Sequence, residues 1–202
     1  LVALARQLRD LGQDVHLCVP PDFREWIEGM GMTVTSIGPE LRPTGKANPT
    51  NTMPTPEQRR QLMAAAVATQ FETVAAAAQG RDMIVGATAL QIAAPSIAEK
   101  LGIPYFFVAY CPNVLPSSHH APPLLTMLGD QVASPTTNYR ELWVQDAQRW
   151  DDQWRDLLNA QRTTLGLVPV DDVRCHILTE QPWLAADPTL GPWPDSSDQV
   201  PF

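Results

Sequence analysis

Only three cysteines occur in the 202 residues of this chain. Cys18, Cys111 and Cys175 are far apart and odd in number, and no two have the spacing of a CxxC or zinc motif. That excludes a disulfide framework and fits reduced thiols in a cytoplasmic protein. Basic residues are also scarce: 14 Lys and Arg stand against 22 Asp and Glu, for a net charge of -8. The nearest thing to a basic run is Arg59-Arg60, so a phosphate-backbone partner is excluded and no nucleic-acid binding is expected. No apolar run approaches the length of a membrane span. No signal peptide is recognisable. The sequence opens on "LVALARQLRDLG" without a Met, and the true N-terminus is expected upstream.

What is present is a globular composition, 44% hydrophobic and 18% charged, on a chain long enough for its own core. Leu1, Leu4, Leu8 and Leu11 fall on one helical face that Gly12 ends. Such a helix needs an earlier element to pack on, so a first strand is expected to be missing before residue 1. "DVHLCVP" (14–20) reads as a strand, and Asp22 as the N-cap of a helix over 23–31 with Glu25 completing the box. "MTVTSIG" (32–38) alternates like a second strand. Residues 39–55 form a Pro/Thr/Asn-rich loop, long enough to be functional. Thr55, Pro56 and Gln58 then spell the start of an Ala-rich helix running to Gly80. "DMIVGA" (82–87) is a strand, 88–102 a helix kinked at Pro95, and "IPYFFVAYC" (103–111) a strand buried on both faces. A helix is expected over 138–166, its apolar side carrying Leu142, Ala147, Trp150, Trp154, Leu157 and Leu158. Strand-like pieces between prolines follow it. A composition shift near residue 188 suggests one domain over 1–187 and the start of an interdomain linker over 188–202. Strands alternating with helices at this spacing predict an α/β fold with a Rossmann-like open parallel sheet.

No GxGxxG, P-loop, GxSxG or HExxH occurs. In open α/β sheets ligands bind beyond the carboxyl ends of the strands, which points to 20–22, 86–88 and 110–120 as borders of one cleft. The third of these lies in "YCPNVLPSSHHAPP" (110–123), with four prolines, two serines and two adjacent histidines. His119 and His120 have three open roles: general base, metal pair, or polar groups of an exposed loop. Neighbours on an extended chain point opposite ways, which argues against one metal held by both. His16 inside a strand reads as a hydrogen-bonded core residue, and His176 as structural. Asp151, Asp152 and Asp156 read as a solvated helix face, and Asp187 before a proline as the organiser of a turn.

At "AEKLGIPY", "YCPNVLPSSHHAPP" and "EQPWLAADPTLGP" the chain resembles the N-terminal half of the bacterial glycosyltransferases that decorate vancomycin-type glycopeptides, and their mycobacterial glycopeptidolipid relatives. "LVALARQLRDLGQDVHLCVPPDF" fits the same family, and the resemblance covers nearly the whole chain except 39–60 and 124–150. It implies half of a GT-B fold, in which this domain takes the acceptor and an absent C-terminal domain takes a UDP- or dTDP-sugar. The implied reaction is an inverting, metal-independent hexosyl transfer to a hydroxyl of a natural product or glycolipid, without a cofactor. The acceptor would be a peptide or lipopeptide, and a membrane surface would be a partner only where the acceptor is a lipid. The family's Asp base would lie upstream of Leu1, so no catalytic residue is expected here and the fragment alone should be inactive. Tyr110, Asn113, Ser117, Ser118, His119 and His120 would line the acceptor pocket on a loop stiffened by its prolines, with 39–55 as a second wall. Two rival readings are a non-catalytic small-molecule-binding module of Rossmann-like fold and a nucleotide-dependent oxidoreductase domain. The latter has only Asp22 available to close its second strand.

Overall fold

The computed structural model describes residues 1–41, 55–87, 90–123 and 138–197, so most of the proposed second wall and the end of the 86–88 border lie outside the described residues. The chain divides into two compact units, Leu1–Gly80 and Arg81–Phe202.

The first unit starts with helix α1, Val2–Asp10. Strands β1, His16–Val19, and β2, Thr33–Ser36, pair in parallel, His16 opposite Thr33 and Val19 opposite Ser36. Between them runs helix α2, Arg24–Glu28. Ala5, Leu17, Val19, Ile27, Met32 and Val34 form the core. Removing most of the Ile27 side chain from it would cost about 2–5 kcal/mol. The leucine stripe of α1 is not the buried one: Leu1, Leu4 and Leu11 are exposed, while Ala5 is buried with Val2 packed beside it. A methyl group at position 5 lets the helix backbone approach the strands closely, and the bulkier leucines fall outside that contact.

Asp22 does not cap α2. It lies within a 3-10 turn, Pro21–Phe23, so the N-cap is Phe23, and the Asp22 carboxylate instead accepts from the Leu41 backbone N–H at 3.2 Å. Two consecutive prolines before Asp22 favour that tight turn over an extended N-cap conformation. The next start signal holds in full. Thr55 caps helix α3, Pro56–Ala77, in a reciprocal box with Gln58, and Pro56 occupies the first turn.

The second unit carries a parallel sheet in the order β3, Ile84–Gly86, then β4, Tyr105–Ala109, then β5, Trp183–Leu184. Helix α4, Ala94–Leu101, joins the first two and stops at Gly102, whose φ of 68° suits a residue without a Cβ. Pro95 produces no kink. It sits in the first turn of α4, where no intrahelical acceptor awaits its missing N–H, so the helix begins there. Helix α5, Tyr139–Thr164, is capped by Asn138. The segment expected to hold strand-like pieces holds one, β5, and before it a helix, α6, Val173–Leu178, capped by Asp172. Val173, Ile177 and Leu178 are buried, a helical spacing too short to stand out between prolines. All described strand pairings are parallel, as the open α/β fold requires. No described helix is long and apolar enough to cross a membrane.

Candidate functional site

Strand β4 delivers the chain to the loop at the carboxyl end of the second unit's sheet. Phe107, Val108 and Ala109 are buried, and Tyr110 emerges exposed. Cys111 is also exposed, and its thiol donates to the Asn113 carboxamide oxygen at 2.7 Å. Pro112–Val114 form a 3-10 turn that drops Leu115, fully buried, into the core. The apolar plug and the prolines fix the loop from below.

Its far half is fixed by Asp195. The Ser117 hydroxyl donates to Asp195 Oδ2, while the Ser118 hydroxyl (2.7 Å) and backbone N–H (3.3 Å) both donate to Oδ1. The Ser117 oxygen also accepts the His119 backbone N–H at 3.0 Å. Ser117 and Asp195 are both buried. Burial pushes the Asp195 carboxyl pKa up, but the Ser117 and Ser118 hydrogen bonds outweigh it, and His119 pulls the same way. The net value lies below the ordinary carboxylate range. Nearby, Trp193 Nε1 donates to the Pro116 carbonyl at 3.2 Å. Asp187 organises the turn before it, accepting the Thr189 and Leu190 N–H groups on its carboxylate.

The two histidines part company, as extended neighbours should. The His119 side chain is exposed, with Nε2 at 4.0 Å from Asp195 Oδ1. The His120 ring is half-buried against the edge of Trp143, with centroids 5.8 Å apart, and its Nδ1 meets the Ala121 carbonyl at 3.1 Å. Trp143 Nε1 donates to the His120 carbonyl at 2.9 Å. Among the described residues no cluster of His, Cys, Asp or Glu could hold a metal ion.

Of the six positions read from the sequence, Tyr110, Asn113 and His119 are exposed, Ser117 is buried, and Ser118 and His120 are half-buried. Sequence reasoning missed the layer beneath. Asp146 and Arg174, both buried, pair at 3.4 Å, and Arg174 donates to the Trp143 carbonyl at 2.6 Å with its guanidinium 5.4 Å from the Trp143 ring centre. A cavity of about 60 Å³ opens here, bordered by Val114 and Pro123 of the loop and by Trp143, Trp150 and Ile177. Asp146 stands three positions after Trp143 and four before Trp150, so it shares the tryptophan face. A carboxylate on an apolar face demands a cation, and that was the available signal.

A second polar cluster is structural. Arg162, buried on α5, donates to Ser96 Oγ (2.9 Å), Glu99 Oε2 (2.8 Å) and the Val168 carbonyl (2.8 Å from Nε). His176 Nε2 lies 3.0 Å from Ser96 Oγ. Burial, and then the Arg162 charge, lower the His176 pKa to about 4 against a smaller opposing pull from Glu99, so it is neutral at neutral pH. His16 likewise keeps to the core edge, its Nε2 2.7 Å from Thr35 Oγ1.

Residues 1–117 match the glycosyltransferase family 28 N-terminal domain. The chain belongs to that family. It is 41% identical to glycosyltransferase GtfC of Amycolatopsis orientalis, over 99% of this chain and 48% of the relative. The vancomycin aglycone glucosyltransferase of the same organism is 40% identical, over 95% of this chain and 46% of its own length. The dTDP-epi-vancosaminyltransferase is 34% identical over 95% and 43%. This family 28 domain therefore spans about half the length of the curated relatives it matches. The loop at 110–123 extends past the end of the family match but lies inside the stretch shared with these relatives.

Proposed function

We propose that this family 28 domain is the acceptor-binding half of a glycosyltransferase of GT-B architecture. The full protein would move a hexosyl group from a nucleotide-sugar to a hydroxyl of a natural-product acceptor, with inversion and without a metal or other cofactor. The observation that carries the reading is the match of almost the whole chain to roughly half of each relative. Relatives named for a vancomycin aglycone and for a dTDP-sugar favour a peptide acceptor and a dTDP-linked donor over a lipid and UDP.

In this reaction the acceptor oxygen forms a bond to the anomeric carbon as the bond to the nucleoside diphosphate breaks. A base takes the hydroxyl proton. His119 and His120 are the loop's only basic side chains; both are read as binding groups, and the base is placed elsewhere in the full-length protein. What these residues do is bind and orient. Exposed Tyr110, Asn113 and His119 present a stacking face, an amide and an imidazole on a loop fixed before the acceptor arrives, which reduces the entropy lost on binding.

The test is transfer by the full-length protein from dTDP- and UDP-sugars to a glycopeptide aglycone, in EDTA, with product mass and anomeric configuration measured. The expected product carries one added hexose with inverted configuration. No transfer to any hydroxyl acceptor would leave the domain a binding module, and activity restored only by a divalent cation would place it in another catalytic class.

A further inference from the structure

Asp195 stands 78 residues after Ser117, yet its buried carboxylate takes three hydrogen bonds, all from the stretch that presents His119. The serines therefore face the carboxylate rather than a ligand, and the exposed imidazole next to them is the group their geometry aims. We propose that Asp195 is the positioning residue of the acceptor loop, and that Ser117 and Ser118 serve the acceptor through it by setting the direction of His119.

Three features support this. The Ser117 hydroxyl works in both directions, donating to Asp195 and accepting from the His119 N–H, so the backbone at His119 is tied to the carboxylate through one atom. The Trp193–Pro116 hydrogen bond joins the same two segments at another point, and Gly191 runs close enough to Pro112 that an added Cβ would stand 3.4 Å from its Cδ. The carboxylate itself is unavailable to an acceptor, since it is buried and both its oxygens are engaged. Because His119 is read as a group that binds the acceptor and not as the base, displacing it weakens acceptor binding in ground and transition state alike, which raises KM and leaves kcat nearly unchanged.

The proposal rests on the reading of 110–123 as an acceptor wall, and two independent measurements separate the claims. Hydrogen exchange on the full-length protein tests the tie itself. Asp195→Ala should remove protection at the Ser118 and His119 amides, and Asp195→Asn, which keeps one acceptor oxygen, should remove less. Unchanged protection overturns the tie whatever the enzyme does. Steady-state kinetics, with donor and acceptor varied separately, tests the role. Asp195→Ala should raise the acceptor KM roughly tenfold, as expected for one or two hydrogen bonds lost, with kcat and the donor KM within about twofold of wild type. Asp195→Asn should recover part of that loss. If Asp195→Ala does not fold, Ser117→Ala serves in both measurements with the same expected direction. Lost protection with an unchanged acceptor KM overturns the positioning role while the acceptor-half reading stands. A fall in kcat at unchanged acceptor KM also overturns it. A wild-type protein that transfers to no hydroxyl acceptor removes the acceptor-half reading and this role together, leaving the tie as plain structure.

Discussion

Ser96 and His176 lie 80 residues apart, and their hydroxyl and imidazole meet at 3.0 Å beneath the Arg162 guanidinium. Arg162 is only 2% exposed, so its charge is balanced by Glu99 and by a carbonyl rather than by water. This cluster links α4, α5 and α6, and its role is to hold these helices together.

The His176 pKa makes it a reporter of acid unfolding. The folded chain keeps the imidazole neutral down to about pH 4, whereas the unfolded chain takes up a proton near 6.5. Between those values the unfolded state binds more protons, so stability is full above pH 6.5 and is lost as the pH falls toward 4. The loss attributable to this group is at most on the order of 3 kcal/mol. His176→Gln should flatten the stability profile in that window, measured as urea midpoints from pH 4.5 to 7. Parallel profiles for variant and wild type would show that another group carries the acid limb.

Arg162→Met should be costly in itself. It leaves the Val168 carbonyl and Ser96 without their guanidinium partner inside the unit, and removing one member of a buried polar cluster costs about 3–5 kcal/mol. Chemical denaturation should show it. A loss under about 1 kcal/mol would mean that the helices rely on apolar packing alone.

His119→Ala and His120→Ala should behave differently. His119 is exposed, and its replacement should lower acceptor kcat/KM about three- to tenfold with the donor KM unchanged and the melting temperature little altered. The His120 ring packs on Trp143, so its replacement should also destabilise, by about 0.5–1.5 kcal/mol for the lost edge contact. Unchanged acceptor kinetics in both variants would remove the histidines from the site, and a loss of several orders of magnitude in one would make it the base.

Gly86→Ala should destabilise by overpacking. A Cβ there would stand 2.5 Å from the Tyr105 hydroxyl and 2.6 Å from Gln91 Cδ. The tyrosine cannot easily give way, because its hydroxyl donates to the Ile177 carbonyl at 3.0 Å. The expected loss is about 1–3 kcal/mol. Adding Gln91→Ala should recover part of it, and a double-mutant cycle in thermal unfolding measures that share. No recovery would assign the whole clash to Tyr105.

What the sequence determined by itself was whatever is decided within a few residues. The Thr55–Gln58 box and the helix stop at Gly102 need no distant partner, and each stands where its local signal put it. The parallel sheet was legible for a related reason, since apolar runs separated by helices leave few other ways to pair. Tertiary structure decided wherever a residue had two locally acceptable states. Pro95 could kink a helix or begin one, and it begins α4 with its surroundings buried. Asp22 could cap α2 or turn toward Leu41, and two preceding prolines chose the turn. In α1 the more apolar stripe lost to the smaller residue, because the distance between helix and strands favours Ala5. The site divides in the same way. Its stiff, polar loop shows in the prolines and histidines of 110–123, but Ser117 looks like a ligand-facing hydroxyl until Asp195 arrives from 78 residues away. Asp146 and Arg174 were hidden for that reason too, 28 residues apart on separate helices. A buried charge is tolerable only with its partner, and which partner the chain brings to it is a property of the folded path, not of the local sequence.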